Sequence, residues 1–141
     1  MGFTQVEGVD YFETFASVFS PKSFRFLLAI WNCYPDFGFE HWDVKSAFTN
    51  APIEEIIYVH QVPGFEKEGT SGKVLLLKKA HGTKQAARAW QVFLTKIFLD
   101  LGGTKHMNDE CVFILEKVKA FCSSGLMWTI YFVYLIRVEK F

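Results

Sequence analysis

Apolar residues recur at helical spacing in two segments of the chain. Ser20 can cap the first segment, Pro21 suits the first helical position, and Pro35 ends the run. The second segment runs over about residues 84–101 and is followed by a pair of glycines. The apolar positions are Phe24, Leu27, Leu28 and Trp31 in the first segment and Trp90, Phe93, Leu94, Ile97, Phe98 and Leu101 in the second. The pattern therefore predicts two amphipathic helices.

Short apolar runs between polar or Pro/Gly-containing stretches predict strands. They lie at residues 37–44, 55–60, 73–78, 111–115 and 126–133. We expect the last two runs to form one hairpin with its turn near residues 123–125. Segregated helices and short strands indicate an α+β fold, with an antiparallel sheet and helices packed on one of its faces. No linker or internal repeat is visible, so residues 1–141 are expected to form a single domain.

Composition and charge change this picture only slightly. Half of the 141 residues are hydrophobic and 18% are aromatic, which excludes a disordered chain. The 15 basic residues are balanced by 15 acidic ones, so there is no overall positive field to attract nucleic acid. Charge alone thus favours an ordinary soluble domain, although a fragment that lacks basic neighbours would show the same balance.

The cysteines and the apolar runs indicate the cellular compartment of the protein. Cys33, Cys111 and Cys122 are odd in number and lack the spacing of a metal site, which favours free thiols in a reducing compartment. The N-terminus lacks the pattern of a signal peptide, and the longest apolar run, residues 126–136, is too short to span a bilayer. The sequence predicts an intracellular protein that is not secreted and has no membrane partner. It does not distinguish between the nucleus and the cytoplasm.

Three stretches in a fixed order carry a family resemblance. They are residues 2–11 (GFTQVEGVDY), 42–48 (WDVKSAF) and 84–90 (KQAARAW). Together they closely resemble the reverse transcriptase of copia-type retrotransposons. The resemblance implies RNA-directed DNA synthesis with Mg²⁺, on an RNA or DNA template-primer and deoxynucleotides, without a small-molecule cofactor. It also implies that the chain corresponds to part of the fingers and palm, ending before the rest of the palm, the thumb and the RNase H region.

The resemblance assigns roles to three residues. Asp43 matches the family's first metal-binding aspartate and is the predicted catalytic residue. Phe48, five residues later, matches the aromatic side chain that excludes a ribose 2′-OH, and Gln85 matches the glutamine expected near the incoming nucleotide. Judged without the family, Asp43 is a strand-end or turn residue, Phe48 is a core residue, and a metal pair of His41 with Asp43 is chance surface chemistry.

A further family motif departs from its pattern. The family reads Tyr-x-Asp-Asp in a hairpin that lies beside the first aspartate, whereas residues 134–137 here read YLIR. Ile136 cannot bind a metal, and Arg137 would place a permanent cation where cations must bind. Glu139 is the nearest acid. Since two metal ions need more than one carboxylate, the sequence predicts that Mg²⁺ is not bound and that the chain is catalytically inactive.

Basic side chains suggest an alternative. Lys78, Lys79, Lys84 and Arg88 are candidate contacts to nucleic acid in a non-catalytic remnant of a transposable element. Judged without the family, Lys84 and Arg88 belong to the solvated face of a helix. Two departures also weaken the match near Gln85, namely Ala87 in place of a proline and a one-residue deletion in residues 80–83. A third possibility is a chain that misfolds through its apolar, β-prone C-terminal segment.

Overall fold

The elements follow one another as short helices and strands along the chain. The structure, a computed structural model, describes residues 2–70, 72–115, 120–124 and 129–135. After a 3-10 turn at Gly2–Thr4, the elements are α1 (Pro21–Cys33), β1 (Phe37–Asp43), α2 (Ala47–Asn50), β2 (Tyr58–His60), β3 (Val74–Leu76), α3 (Ala86–Asp100), β4 (Thr104–His106), β5 (Asp109–Leu115), β6 (Ala120–Ser124) and β7 (Thr129–Leu135). Within these described residues, no helix has both the length and the apolar character required to cross a bilayer.

Every described strand pair is antiparallel. Five strands form one sheet in the order β1-β7-β6-β5-β4, and β2 pairs with β3 in a separate two-stranded sheet. The predicted α+β class with an antiparallel sheet is therefore confirmed.

The C-terminal half is a meander of strands. β5 pairs with β6, and β6 pairs with β7, so the two predicted strands at residues 111–115 and 126–133 are not direct partners. The prediction of one hairpin was wrong because it missed β6, which lies between β5 and β7 and pairs with both. The turn was expected at residues 123–125, but Ser123 and Ser124 are paired residues of β6, and residue 125 lies outside the described residues.

Helices cover both faces of the large sheet. Phe98 of α3 packs against Phe113 of β5, with ring centroids 4.8 Å apart. Leu27 of α1 instead belongs to the buried cluster that contains Val112 and Val133. Neighbouring residues of a strand point to opposite faces, so Phe113 and Val112 direct the two helices to opposite sides. The prediction that the helices pack on one face was wrong. β5 is buried at consecutive positions, and both faces therefore need a cover.

Local signals explain where the two long helices begin and end. The Ser20 hydroxyl accepts a hydrogen bond from the Lys22 N–H at 3.2 Å, and Pro21 occupies the first turn of α1, as predicted. After α3, Gly102 takes a left-handed φ of 82°, and the Gly103 N–H donates to the Phe98 carbonyl at 2.9 Å. The predicted stripe of α3 is buried at Trp90, Leu94 and Phe98.

Candidate functional site

Asp43 is the last residue of β1, and its side chain is exposed. The chain then turns through Ser46, the only described non-glycine residue with a positive φ (51°), and enters the short helix α2. This turn brings Phe48 back towards the end of β1. The result is an open cavity of about 290 Å³, lined by Asp43, Val44, Lys45, Ser46, Ala47, Phe48 and His81.

Among the described residues that line this cavity, Asp43 is the sole carboxylate. Within the described ranges, no group of three or more His, Cys, Asp or Glu side chains could hold a metal ion. His41, on the same strand face as Asp43, stacks on the Tyr131 ring with centroids 5.0 Å apart. The residues that connect β6 to β7 read GLMW and contain no acid. The side chains described around Asp43 therefore do not fit a two-metal site.

The register of β1 and β7 decides which end of β7 lies beside Asp43. Asp43 pairs with Thr129, the first residue of β7, whereas Tyr134 pairs with Gly38. Gly38 and Asp43 are five residues apart on β1, which corresponds to about 17 Å along an extended strand. The antiparallel register places Tyr134 and Leu135 at the other end of β1 from Asp43. Ile136, Arg137 and Glu139 lie outside the described residues.

Tyr134 supports strand pairing at that other end. A Cβ atom on Gly38 would lie 2.6 Å from the Tyr134 ring, so the absence of a side chain at Gly38 lets the ring pack over the strand. The Tyr134 hydroxyl donates to Glu40 Oε1 at 2.9 Å, and Trp42 Nε1 donates to Glu40 Oε2 at 2.6 Å. The hydrogen bond to Glu40, partial burial and the negative charge of Glu40 together raise the pKa of Tyr134 above its usual value of 10.0.

Phe48 faces both the cavity and the core. It is half-buried in α2 and packs against the cluster that contains Trp90 and Ala86 of α3. The ring therefore has a packing role, as expected of a core residue, and it also lies in one cavity with Asp43. Its role against a sugar ring stays a prediction.

Gln85 has its amide group fully engaged inside the protein. It is 2% exposed, and its Oε1 accepts from Gln5 Nε2 at 3.1 Å. Its Nε2 donates to the Asp10 carbonyl, also at 3.1 Å. Sequence reasoning missed Gln5 as the partner, although both glutamines lie in the quoted family stretches. A contact across 80 positions leaves no periodic signal in the sequence.

Two of the predicted basic contacts also bind the N-terminal residues. Lys84 Nζ donates to the Gln5 carbonyl at 3.2 Å and lies 4.9 Å from the centre of the Tyr11 ring. Arg88 forms an ion pair with Glu13 and donates to the Phe15 carbonyl at 3.3 Å.

The other two basic residues lie after β3. Lys79 Nζ donates to the Asn50 carbonyl at 2.9 Å, and Lys78 is exposed. The structure thus separates the four residues into a pair after β3 and a pair at the start of α3. Their role in nucleic-acid binding stays a prediction.

A larger cavity of about 540 Å³ lies between α3 and the segment after α2. Gln85 and Arg88 line it, whereas Asp43 and Phe48 line the smaller cavity. Its charged lining residues are Glu13, Glu54, Glu55, Arg88, Lys96 and Asp100. Acidic side chains outnumber basic ones, so the cavity as it stands does not favour an anion.

Asp109 is a structural residue that the sequence reasoning did not single out. Its Oδ2 accepts from the Ser20 N–H at 3.1 Å and from the Ser23 hydroxyl at 2.6 Å. Its Oδ1 accepts from the Cys111 N–H at 3.0 Å. One carboxylate at the start of β5 thus fixes the N-terminal turn of α1 on the sheet.

Comparison with known protein families identifies the family of this chain. The model of the family described as reverse transcriptase (RNA-dependent DNA polymerase) matches residues 1–138. The chain belongs to this family. No solved structure gives a significant match.

Curated relatives of this reverse transcriptase chain are transposon proteins. It is 34% identical over 122 residues to the retrovirus-related Pol polyprotein from transposon RE1 of Arabidopsis thaliana, covering 84% of the chain and 8% of the relative. It is 35% identical over 113 residues to the retrovirus-related Pol polyprotein from transposon TNT 1-94 of Nicotiana tabacum, covering 79% of the chain and 8% of the relative. The resemblance to copia-type reverse transcriptases is confirmed, and the chain spans about 8% of the length of these relatives.

Proposed function

We propose that the chain is part of the fingers and palm of a copia-type reverse transcriptase domain, whose family reaction is RNA-directed DNA synthesis on a template-primer. The observation that carries this proposal is the placement of Asp43, exposed at the end of the antiparallel edge strand β1 and in one cavity with Phe48. A carboxylate at a strand end next to an aromatic ring suits a metal ligand beside a sugar-binding surface. Asp43 is proposed as the surviving counterpart of the family's first metal carboxylate, and Phe48 as the counterpart of its barrier to a 2′-OH.

We further propose that this chain does not catalyse the reaction. In-line phosphoryl transfer with two divalent ions needs several carboxylates to hold the ions and offset their charge. Neither the described lining of the Asp43 cavity nor the sequence between β6 and β7 supplies a second one. The residues at the family's Asp-Asp positions, Ile136 and Arg137, have no carboxylate either. Mg²⁺ would be the metal of the family reaction, and Asp43 is the residue of this chain at the position of a family metal ligand.

Primer extension tests this proposal directly. The purified chain is incubated with an RNA template, a DNA primer and deoxynucleotides in Mg²⁺ or Mn²⁺, beside an active reverse transcriptase as positive control. We expect no extension from the wild type or from Asp43→Asn. Extension by the wild type that is lost in Asp43→Asn and kept in Asp36→Asn would contradict the proposed inactivity. Asp36 is a suitable control because it is exposed and lies in the turn before β1.

A second candidate function is nucleic-acid binding without catalysis. The adjacent Lys78 and Lys79 are both exposed after β3, and this observation favours it. Binding through phosphates would weaken steeply with salt because bound counterions are released. A gel shift of wild type that is lost at raised salt, and weakened in Lys78→Ala, is the expected result. Binding that does not depend on salt would count against phosphate contacts.

A further inference from the structure

Residues 2–17, here called the N-terminal strap, lie along the first half of α3 without entering the core. No residue from Gly2 to Val18 is buried. Several of its apolar side chains face solvent, among them Phe3, Val9, Phe12 and Phe15. Because little apolar area is removed from water, polar contacts must hold the strap in place.

Residues 5–10 and Ser17 are fixed more firmly than the middle of the strap, residues 11–15. The Asp10 carbonyl accepts from Gln85 Nε2 at 3.1 Å. At the first end, Gln5 donates to the buried Gln85 and accepts from the Lys84 N–H at 2.8 Å. At the second end, the Ser17 N–H donates to Gln91 Oε1 at 2.9 Å, and the Ser17 carbonyl accepts from the Cys111 thiol. Except for the exposed contact of the Lys84 N–H, these contacts are part-buried, and their loss would leave polar groups unpaired.

The middle of the strap covers two cations with oxygen atoms. Tyr11 and Glu13 contact Lys84 and Arg88 respectively, and the Phe15 carbonyl is a second acceptor for Arg88. The side chains of the Arg88–Glu13 pair are 40% and 67% exposed. Exposed ion pairs of this kind contribute about 0–1 kcal/mol, so the middle can open while both ends stay attached.

We infer that the middle of the strap is a reversible intramolecular competitor for phosphate at Lys84 and Arg88. The carboxylate of Glu13 and the carbonyl of Phe15 contact the two terminal nitrogens of the Arg88 guanidinium, as phosphate oxygens would. Nucleic-acid phosphate reaches Arg88 only after Glu13 has left, so the strap weakens binding as long as it is closed. The inference rests on the proposed nucleic-acid partner of the family.

The test compares two variants that remove the same charge from the strap. Glu13→Gln breaks the ion pair with Arg88, whereas Glu7→Gln changes an exposed side chain of the same strap for which no contact with α3 is described. Binding of a fluorescein-labelled single-stranded oligodeoxynucleotide is measured by anisotropy at low salt. We expect Glu13→Gln to bind about threefold more tightly than the wild type, the factor that corresponds to one exposed ion pair, and Glu7→Gln to bind like the wild type. Adding Arg88→Ala to Glu13→Gln should abolish the gain.

The possible outcomes distinguish a failure of the strap inference from a failure of the proposed nucleic-acid binding. Equal affinities of the Glu13→Gln and Glu7→Gln variants, with salt-dependent binding by the wild type, would overturn the strap inference alone. Absence of binding by all variants would overturn both the inference and the nucleic-acid partner. A gain in Glu13→Gln that persists after Arg88→Ala would also overturn the inference, because the released cation would not be the cause. Melting curves that coincide with the wild type verify that each variant is folded.

Discussion

At the scale of residues, polar side chains that carry the family resemblance also hold this chain together. Gln85 matches a glutamine expected near the nucleotide, yet its amide joins Gln5 and Asp10 in a buried contact. Tyr134 matches the tyrosine of the metal-binding hairpin, yet its hydroxyl binds Glu40. A residue type that matches the family motif therefore indicates family membership. What its side chain contacts depends on the residues that the fold places next to it.

Tyr134 makes stability depend on pH in the alkaline range. Its folded-state pKa is raised above 10.0, so the neutral phenol is favoured in the folded protein. This contribution is complete below pH 10 and is lost as pH rises through the raised folded pKa. We expect the unfolding free energy, measured by urea titration at increasing pH, to fall more steeply above about pH 10 in the wild type than in Tyr134→Phe.

Tyr58→Phe is the matched control for this titration, since Tyr58 is 62% exposed on β2. It should keep the alkaline slope of the wild type. Identical slopes in all three proteins would show that the hydrogen bond between Tyr134 and Glu40 does not contribute.

Asp109 provides a second test at a single residue. Replacing it by alanine removes the acceptor of the Ser20 N–H, the Ser23 hydroxyl and the Cys111 N–H. Because hydrogen bonds to charged groups are stronger than neutral ones, we expect a loss of about 2–3 kcal/mol in urea-induced unfolding. Asp36→Ala, at an exposed aspartate, should cost less than about 0.5 kcal/mol. A cost of Asp109→Ala no larger than that of the control would show that α1 is held by its apolar face alone.

At the scale of elements, the structures set by local signals were predictable and those set by distant partners were not. α1 and α3 have caps, prolines, glycines and apolar stripes within their own segments, and both lie close to their predicted bounds. β6 and β4 are short and exist through pairing with β5, for which the sequence has no local signal. The sequence also did not predict which helix covers which face of the sheet. A strand that is apolar at consecutive positions indicates that both faces are buried, but not by which helix.

The same reasoning applies to the candidate site. The position of Asp43 at a strand end follows from the apolar run before it and the polar turn after it, and the structure places it there. Which residue of β7 pairs with Asp43 depends on the register of the two strands, and the sequence has no local signal for that register.

The buried stripe of α3 is the element-scale prediction. Phe98 is 4% exposed and packs against Phe113, whereas the adjacent Leu99 is 47% exposed. Phe98→Ala should lower the unfolding free energy by about 3–5 kcal/mol, because it removes buried contacts and leaves a cavity. Leu99→Ala on the same helix should cost less than about 1 kcal/mol in the same denaturant titration. Similar costs for the two variants would contradict the assignment of the core face.

At the scale of the whole molecule, a chain of the reverse transcriptase family has one carboxylate among the described residues that line the Asp43 cavity. It spans about 8% of the Pol polyproteins it matches. The sheet presents Asp43 at one end of β1 and uses the other end for the contact of Tyr134 with Glu40.

The most direct measurement is a Mn²⁺ titration followed by electron paramagnetic resonance, which reports the free ion. We predict that wild type and Asp43→Asn bind Mn²⁺ alike, since one exposed carboxylate does not hold two divalent ions. Asp36→Asn serves as the control for the loss of one exposed charge. Binding of two Mn²⁺ ions per wild-type chain that disappears in Asp43→Asn and remains in Asp36→Asn would contradict the proposal that Asp43 stands alone.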